Sequence, residues 1–194
     1  MLISKEMFDI ARVAEKEPNE RNSIDCVRFE TDGLRNEATA TNGRCAILVK
    51  WPALEETEGA ELYLIPASDC LQIKPGIKRL GKLAAARVSD SEDGFTLFQD
   101  FNLIGSVFRS PTTGRPFPKA RKLIEDRVYS ENSGPSHSFN ISQLNKLLST
   151  IEKVIGPDEI VDLQFDESEG GGTVLVVTHH GTKIIESILM GISS

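Results

Sequence analysis

The order of the predicted secondary-structure elements repeats three times along the chain, and this repeat constrains the fold more than any other feature. Each repeat starts with a short apolar strand, continues with a helix and ends with three strands of alternating apolar and polar residues. The repeats cover residues 1–60, 61–128 and 129–194, so each is about 60 to 70 residues long. Repeats of this kind favour an α+β architecture in which antiparallel sheets carry helices on one face.

The first repeat shows the pattern most clearly. Ser4 can cap a helix that we predict over residues 4–16. Its apolar residues recur at helical spacing, at Met7, Ile10, Ala11 and Ala14. Three strands follow, with Asp32-Gly33 and Asn42-Gly43 predicted as the turns between them.

The second of these turns carries more residues than a turn requires. Asn42-Gly43 is a strong hairpin signal because both residues tolerate a positive φ. Such a turn needs neither Thr41 before it nor Arg44 after it. We therefore expect these two side chains to serve another purpose.

The helices of the second and third repeats have clear boundary signals. Pro66 suits the first turn of the second helix, and Pro75-Gly76 is expected to interrupt or kink it. The third helix is predicted to begin at Ser138-Phe139-Asn140 and to stop at Gly156-Pro157.

Charge is distributed unevenly among the three repeats. The net charge of the chain is −7, which argues against a protein that coats nucleic acid along its whole surface. The middle repeat alone is basic, whereas the first and third are acidic. One basic surface on an acidic body is compatible with local contact to a polyanion, and an ordinary fluctuation of charge between segments is an equal alternative.

Several classes of protein are disfavoured by residues that are missing or wrongly spaced. Cys26, Cys45 and Cys70 are scattered and lack metal spacing, so we expect reduced cytosolic thiols and no metal or other cofactor. His179 and His180 are adjacent on a predicted strand and therefore point to opposite faces. No nucleophile–base set or carboxylate pair stands out, so we expect a protein that is not an enzyme. The chain has no secretory signal and no apolar run long enough for a membrane span, and we expect a cytoplasmic protein without membrane contact.

Five short stretches carry a resemblance to a known family. They are Thr39–Arg44, Tyr63–Ala67, Gly114–Ile124, Phe139–Leu144 and Ile188–Met190. In this order they resemble stretches of the bacterial DNA polymerase III beta subunit, the sliding clamp family, whose domains are each built from two strand–helix–strand units. The chain resembles a shortened or divergent member of that family.

The resemblance implies a DNA-clamp-like fold with one and a half domains. Residues 1–128 would form one clamp-like domain from two halves, 1–60 and 61–128, and residues 129–194 would form an additional half-domain. It further implies a protein that acts in DNA replication or repair by encircling or contacting duplex DNA, with a homo-oligomer as one possible assembly.

Basic residues on the helices are the DNA contacts that the resemblance implies. In a clamp, lysines and arginines on the helices meet phosphates without reading the base sequence. The matching candidates here are Lys74, Lys78, Arg79, Lys82, Lys146 and Lys153. A solvated charged helix face without a ligand is the alternative.

A pocket for short peptides of replication or repair partners is the second implied site. Its matching residues are Thr41, Gly43, Arg44, Leu123, Met190 and Ile192, with Thr41 and Arg44 at the rim. Gly191 stands where the family has a proline, so the pocket can be remodelled. A plain hairpin turn beside a buried terminal strand is one alternative. Another is an adaptor or clamp antagonist that keeps the fold without binding DNA.

Overall fold

The computed structural model describes most of the chain. The described residues are 1–18, 20–53, 55, 59–78, 85–90, 95–100, 108–111, 115–125, 129–130, 140–156, 162–166, 173–180 and 183–190.

The first repeat folds in the predicted order, although its helix is shorter than expected. A 3₁₀ helix covers Lys5–Arg12, so the prediction of a helix over 4–16 is wrong at its C-terminal end. The buried residues of this helix form an unbroken run that includes Phe8 and Asp9, because the helix is enclosed on more than one side. The strands of this repeat are β1 (Leu2–Ser4), β2 (Cys26–Thr31), β3 (Arg35–Thr41) and β4 (Cys45–Pro52).

The second repeat contains the predicted helix and one helix that was not predicted. The first is continuous through Pro75 and Gly76, so these residues do not interrupt it. A proline near the C-terminal end of a helix removes one backbone donor with only about one turn still to follow. The elements are β5 (Glu61–Pro66), α1 (Ala67–Lys78), β6 (Ala85–Asp90), β7 (Phe95–Asp100), β8 (Phe108–Pro111) and the unpredicted α2 (Ala120–Glu125).

The third repeat confirms the predicted start and end of its helix. The Asn140 side chain accepts hydrogen bonds from the backbone N–H groups of Ser142 and Gln143, which is the geometry of an N-cap. Gly156 ends the helix with a φ of +117°. The elements are β9 (Tyr129–Ser130), α3 (Ile141–Ile155), β10 (Asp162–Asp166), β11 (Thr173–His180) and β12 (Lys183–Met190).

The first two repeats are interlocked by an exchange of their first strands. A four-stranded sheet has the order β1-β6-β7-β8, so β1 of the first repeat pairs with strands of the second. In return, β5 of the second repeat pairs with β2 of the first. The strand pairs are antiparallel throughout both sheets, as predicted.

The first and third repeats share one continuous sheet of eight strands, in the order β5-β2-β3-β4-β12-β11-β10-β9. The seam is the pair β4–β12, which is in register from Lys50 opposite Ile184 to Cys45 opposite Leu189. The proposed division of the chain into a domain at 1–128 and a half-domain at 129–194 stays a prediction. A test of this division must ask whether the first part folds without the β4–β12 pairing.

The main core lies between this sheet and a layer of helices. The 3₁₀ helix packs against α1 and α3, and residues from all three repeats are buried in one apolar cluster. Because side chains alternate along a strand, the next residues of β4 point to the other face of the sheet. There α2 packs in a smaller cluster made of Ala46, Leu48, Ala120, Ile124 and Ile188.

Candidate functional site

The turn between β3 and β4 is built by its own side chains. The Thr41 hydroxyl donates to the carbonyl of Cys45 at 2.8 Å and accepts from the N–H of Gly43 at 3.1 Å. The Asn42 side-chain oxygen accepts from the N–H groups of Arg44 and Cys45, both at 3.0 Å. Gly43 has a φ of +83°. The expectation that the turn does not need Thr41 is therefore wrong, since the hydroxyl closes it.

The same arrangement occurs at the other end of β3. The Thr31 hydroxyl donates to the carbonyl of Arg35 at 3.0 Å and accepts from the N–H of Gly33 at 3.1 Å. The Asp32 carboxylate accepts from Leu34 at 2.9 Å and from Arg35 at 2.7 Å. Gly33 has a φ of +95°. The sequence signal for this kind of turn is the tripeptide Thr-Asx-Gly, which occurs at both ends of β3 and was not among the predicted features.

The side chain that caps the turn is a carboxylate at Asp32 and an amide at Asn42, and this difference predicts a pH dependence. Backbone hydrogen bonds from Arg35 and Leu34 lower the pKa of Asp32. A carboxylate with a lowered pKa stabilises the fold above its unfolded-state pKa, and the contribution is lost as pH falls through the folded-state value. We expect the wild-type chain to lose more stability than Asp32→Asn between about pH 5 and pH 2. Urea denaturation across this range measures the difference, and parallel curves would contradict it.

The β3–β4 turn also contacts the third repeat. The Asn42 side-chain N–H donates to the side-chain oxygen of Gln143, in the first turn of α3, at 2.9 Å. The Cys45 sulfur lies 3.7 Å from the same Gln143 oxygen. Burial raises the pKa of Cys45 to about 11, against the opposing effects of Lys146 and Asn42. The thiol is therefore neutral at pH 7 and belongs to the packing of this junction.

The register of three neighbouring strands brings most of the predicted pocket residues together. Thr41 pairs with Ala46 across β3 and β4, and Cys45 pairs with Leu189 across β4 and β12. The turn that carries Gly43 and Arg44 therefore lies at the same end of the sheet as Met190, the last residue of β12.

Leu123 lies on α2. This helix packs against β3 and β12, where Ala120 and Ile124 are buried. Thr41 is only 5% exposed, whereas Gly43 and Arg44 are exposed to solvent. Ile192 lies outside the described residues.

The predicted DNA-contacting residues that the structure describes lie on α1 and α3, and Lys146 makes an unexpected contact with the protein backbone. The ammonium of Lys146 donates to the carbonyls of Val13 and Ala14 at 3.2 and 3.3 Å, and so ties α3 to the residues that follow the 3₁₀ helix. Lys153 is exposed on α3. Lys74 and Lys78 lie on α1, and Arg79 and Lys82 lie outside the described residues.

Among the described residues, the structure contains no group of three or more His, Cys, Asp and Glu side chains that could hold a metal ion. No helix within the described ranges is long and apolar enough to cross a membrane.

Comparison with known proteins gives matches in structure and none in sequence. No family model and no curated protein matches the chain. Among solved structures, a sliding clamp from Pseudomonas aeruginosa is similar with a TM-score of 0.70 and 13% identity. A Streptococcus pneumoniae DNA polymerase III beta chain is similar with a TM-score of 0.69 and 9% identity. A Helicobacter pylori beta clamp bound to a DNA ligase peptide has a TM-score of 0.68 and 10% identity.

All three similarities cover the whole of this chain, which spans about two thirds of the neighbouring chains, at 66%, 64% and 65%. At these identities the likeness concerns the fold. The expected α+β, clamp-like architecture is confirmed, and the chain has the fold of the bacterial sliding clamps over its full length.

Proposed function

We propose that this chain is a shortened, divergent clamp-like protein that acts without catalysis in DNA replication or repair. It would work in the cytoplasm, contact or encircle duplex DNA through its helix layer, and dock short peptides of partner proteins beside the β3–β4 turn. The observation that carries the proposal is the clamp fold of the whole chain. It is supported by the β3–β4 turn lying at the same end of the sheet as the last residue of β12, and by the packing of α2 against β3 and β12.

The DNA half of the proposal rests on the basic residues of α1 and α3. Lys74 and Lys78 both belong to α1. Lys153 adds an exposed cation on α3. Lys146 contributes less, because its ammonium is already bound to two backbone carbonyls.

Charge reversal tests this DNA contact. We expect weak binding to a linear duplex of random sequence that becomes steeply weaker as salt rises, because phosphate contacts release counterions. Lys74→Glu/Lys78→Glu is expected to lower the slope of log affinity against log salt by about two. Fluorescence anisotropy measures both quantities.

The matched control reverses the same number of charges on the other face of the sheet, in Lys119→Glu/Lys122→Glu. Lys119 and Lys122 are exposed before and on α2. Equal loss in both double variants, or no binding at low salt, would contradict the proposed DNA contact.

An adaptor that keeps the clamp fold without binding DNA is the second candidate. It is favoured by the net charge of −7 and by the internal contact of Lys146. Light scattering separates the two candidates. A mass of one chain, 21.3 kDa, at micromolar concentration favours the adaptor, and a discrete multiple of that mass favours a closed ring.

A further inference from the structure

Residues Arg115–Glu125, here called the α2 strap, cross from the second repeat onto the sheet of the first. The start of the strap is fixed at the loop before β2. The backbone N–H of Ser23 donates to the carbonyl of Pro116 at 2.9 Å, and the Ser23 hydroxyl donates to the carbonyl of Arg115 at 3.0 Å. The Arg115 guanidinium donates to the Asp25 carboxylate at 2.9 Å.

The Asp25 carboxylate, which accepts the hydrogen bond from Arg115, is nearly buried, and this strengthens the ion pair at the start of the strap. Asp25 is 8% exposed, and its hydrogen bond raises the pKa of Arg115. Removing one partner of a buried ion pair leaves the other charge without compensation. The start of the strap is thus tied to the sheet by a charged contact as well as by backbone hydrogen bonds.

The helix of the strap is held by a second arginine. The Arg121 guanidinium lies 2.8 Å from the Glu37 carboxylate and 3.6 Å from that of Glu30. Glu30 and Glu37 are directly opposite each other on β2 and β3. Like charges in this position destabilise a sheet, and a cation that bridges them removes the repulsion.

Two further cations, Arg28 and Lys50, lie close to this carboxylate pair. Burial raises the pKa of Glu37, Glu30 raises it further, and Arg121 and Lys50 oppose this. Arg28 bonds to Glu30 at 2.6 Å, and Lys50 lies 2.7 Å from Glu186 on β12. Arg121 is the cation that comes from the strap itself, so its contact ties the strap to the carboxylate pair.

Apolar contacts alone fix the strap poorly. Ala120 and Ile124 are the buried apolar side chains described on this six-residue helix. A helix this short has little stability of its own. Apolar burial has no direction, whereas a guanidinium bound to carboxylates defines both distance and orientation.

We propose that Arg115 and Arg121 are positioning residues that hold the α2 strap against β3 and β12. Neither arginine was among the predicted site residues. The consequence for peptide docking rests on the proposed function, whereas the position of the strap does not.

Hydrogen exchange in the intact chain tests the proposal. In Arg121→Gln, the amides of residues 120–125 are expected to exchange about tenfold faster, which corresponds to the loss of one charge-assisted contact. Arg121→Lys, which keeps the charge without the fork, is expected to give an intermediate rate. Lys119→Gln, which removes one exposed charge beside the helix, is the matched control and should leave the rate unchanged.

Arg115→Lys tests the first anchor without leaving Asp25 unpaired, and faster amide exchange is expected at residues 117, 119 and 120, since 116 and 118 are prolines without an amide hydrogen. Urea denaturation of each variant separates local loosening from a loss of global stability. Unchanged exchange of the strap in both Arg121→Gln and Arg115→Lys would overturn the proposal.

Binding of a labelled DNA ligase peptide, the ligand class of the Helicobacter pylori structure, tests the consequence. If the wild-type chain binds it, Arg121→Gln is expected to weaken binding by about tenfold, and an unchanged affinity overturns the role in docking. If the wild-type chain does not bind it, the docking function fails, and the exchange rates still decide whether the arginines position the strap.

Discussion

A chain cut after residue 128 is expected not to fold cooperatively, although it would contain the whole of the proposed first domain. The cut removes Leu147, Ile151, Val154, Ile155 and Ile185 from the main core and exposes the β4 edge along the seam. Burial of five such side chains contributes on the order of 10 kcal/mol. This is comparable with the whole stability of a typical domain, about 5–15 kcal/mol.

Circular dichroism with thermal denaturation measures the outcome of this cut. A chain that ends at residue 190 is the control, because it keeps all of β12 and is expected to unfold in a single transition. A sharp, reversible transition of the 1–128 fragment would contradict the prediction and support an independent first domain.

Phe8→Ala is expected to destabilise the chain by about 3–5 kcal/mol, the range for large-to-small changes of a buried aromatic residue. Phe8 is fully buried in the 3₁₀ helix, and its ring centroid lies 5.7 Å from that of Phe29 on β2. The truncation leaves a cavity where the helix layer meets the sheet. Urea denaturation measures the difference in free energy of unfolding.

Ile141→Ala is the matched control for Phe8→Ala. Ile141 is an apolar helical residue that is 83% exposed, and its truncation is expected to change stability by no more than about 0.5 kcal/mol. Similar losses in the two variants would show that the 3₁₀ helix does not contribute to the core as described.

The predicted pocket illustrates what local sequence patterns can and cannot reveal. The Asn42-Gly43 turn was correctly predicted because it depends on residues that are adjacent in the chain. The pairing of Cys45 with Leu189 joins residues far apart in sequence. Only the register of the folded sheet brings the turn and the end of β12 to one site.

The roles of single charged residues were the least predictable. Lys146 was expected to face DNA, and its ammonium binds the carbonyls of Val13 and Ala14. Arg121 was not among the predicted site residues, and its guanidinium bridges the carboxylates of Glu30 and Glu37. A long cationic side chain is compatible with several partners, so its role depends on which acceptors the tertiary structure places within reach.

By itself the sequence determined the order of the elements and the cap of α3 at Asn140, because side-chain periodicity and turn chemistry act over a few residues. The clamp-like class of fold came from the resemblance of five short stretches to the sliding clamp family. The tertiary structure alone decided the exchange of β1 and β5, the seam between β4 and β12, and the contacts of the α2 strap. These depend on burial and pairing between distant segments, whose free energy is gained only when all of them pack together.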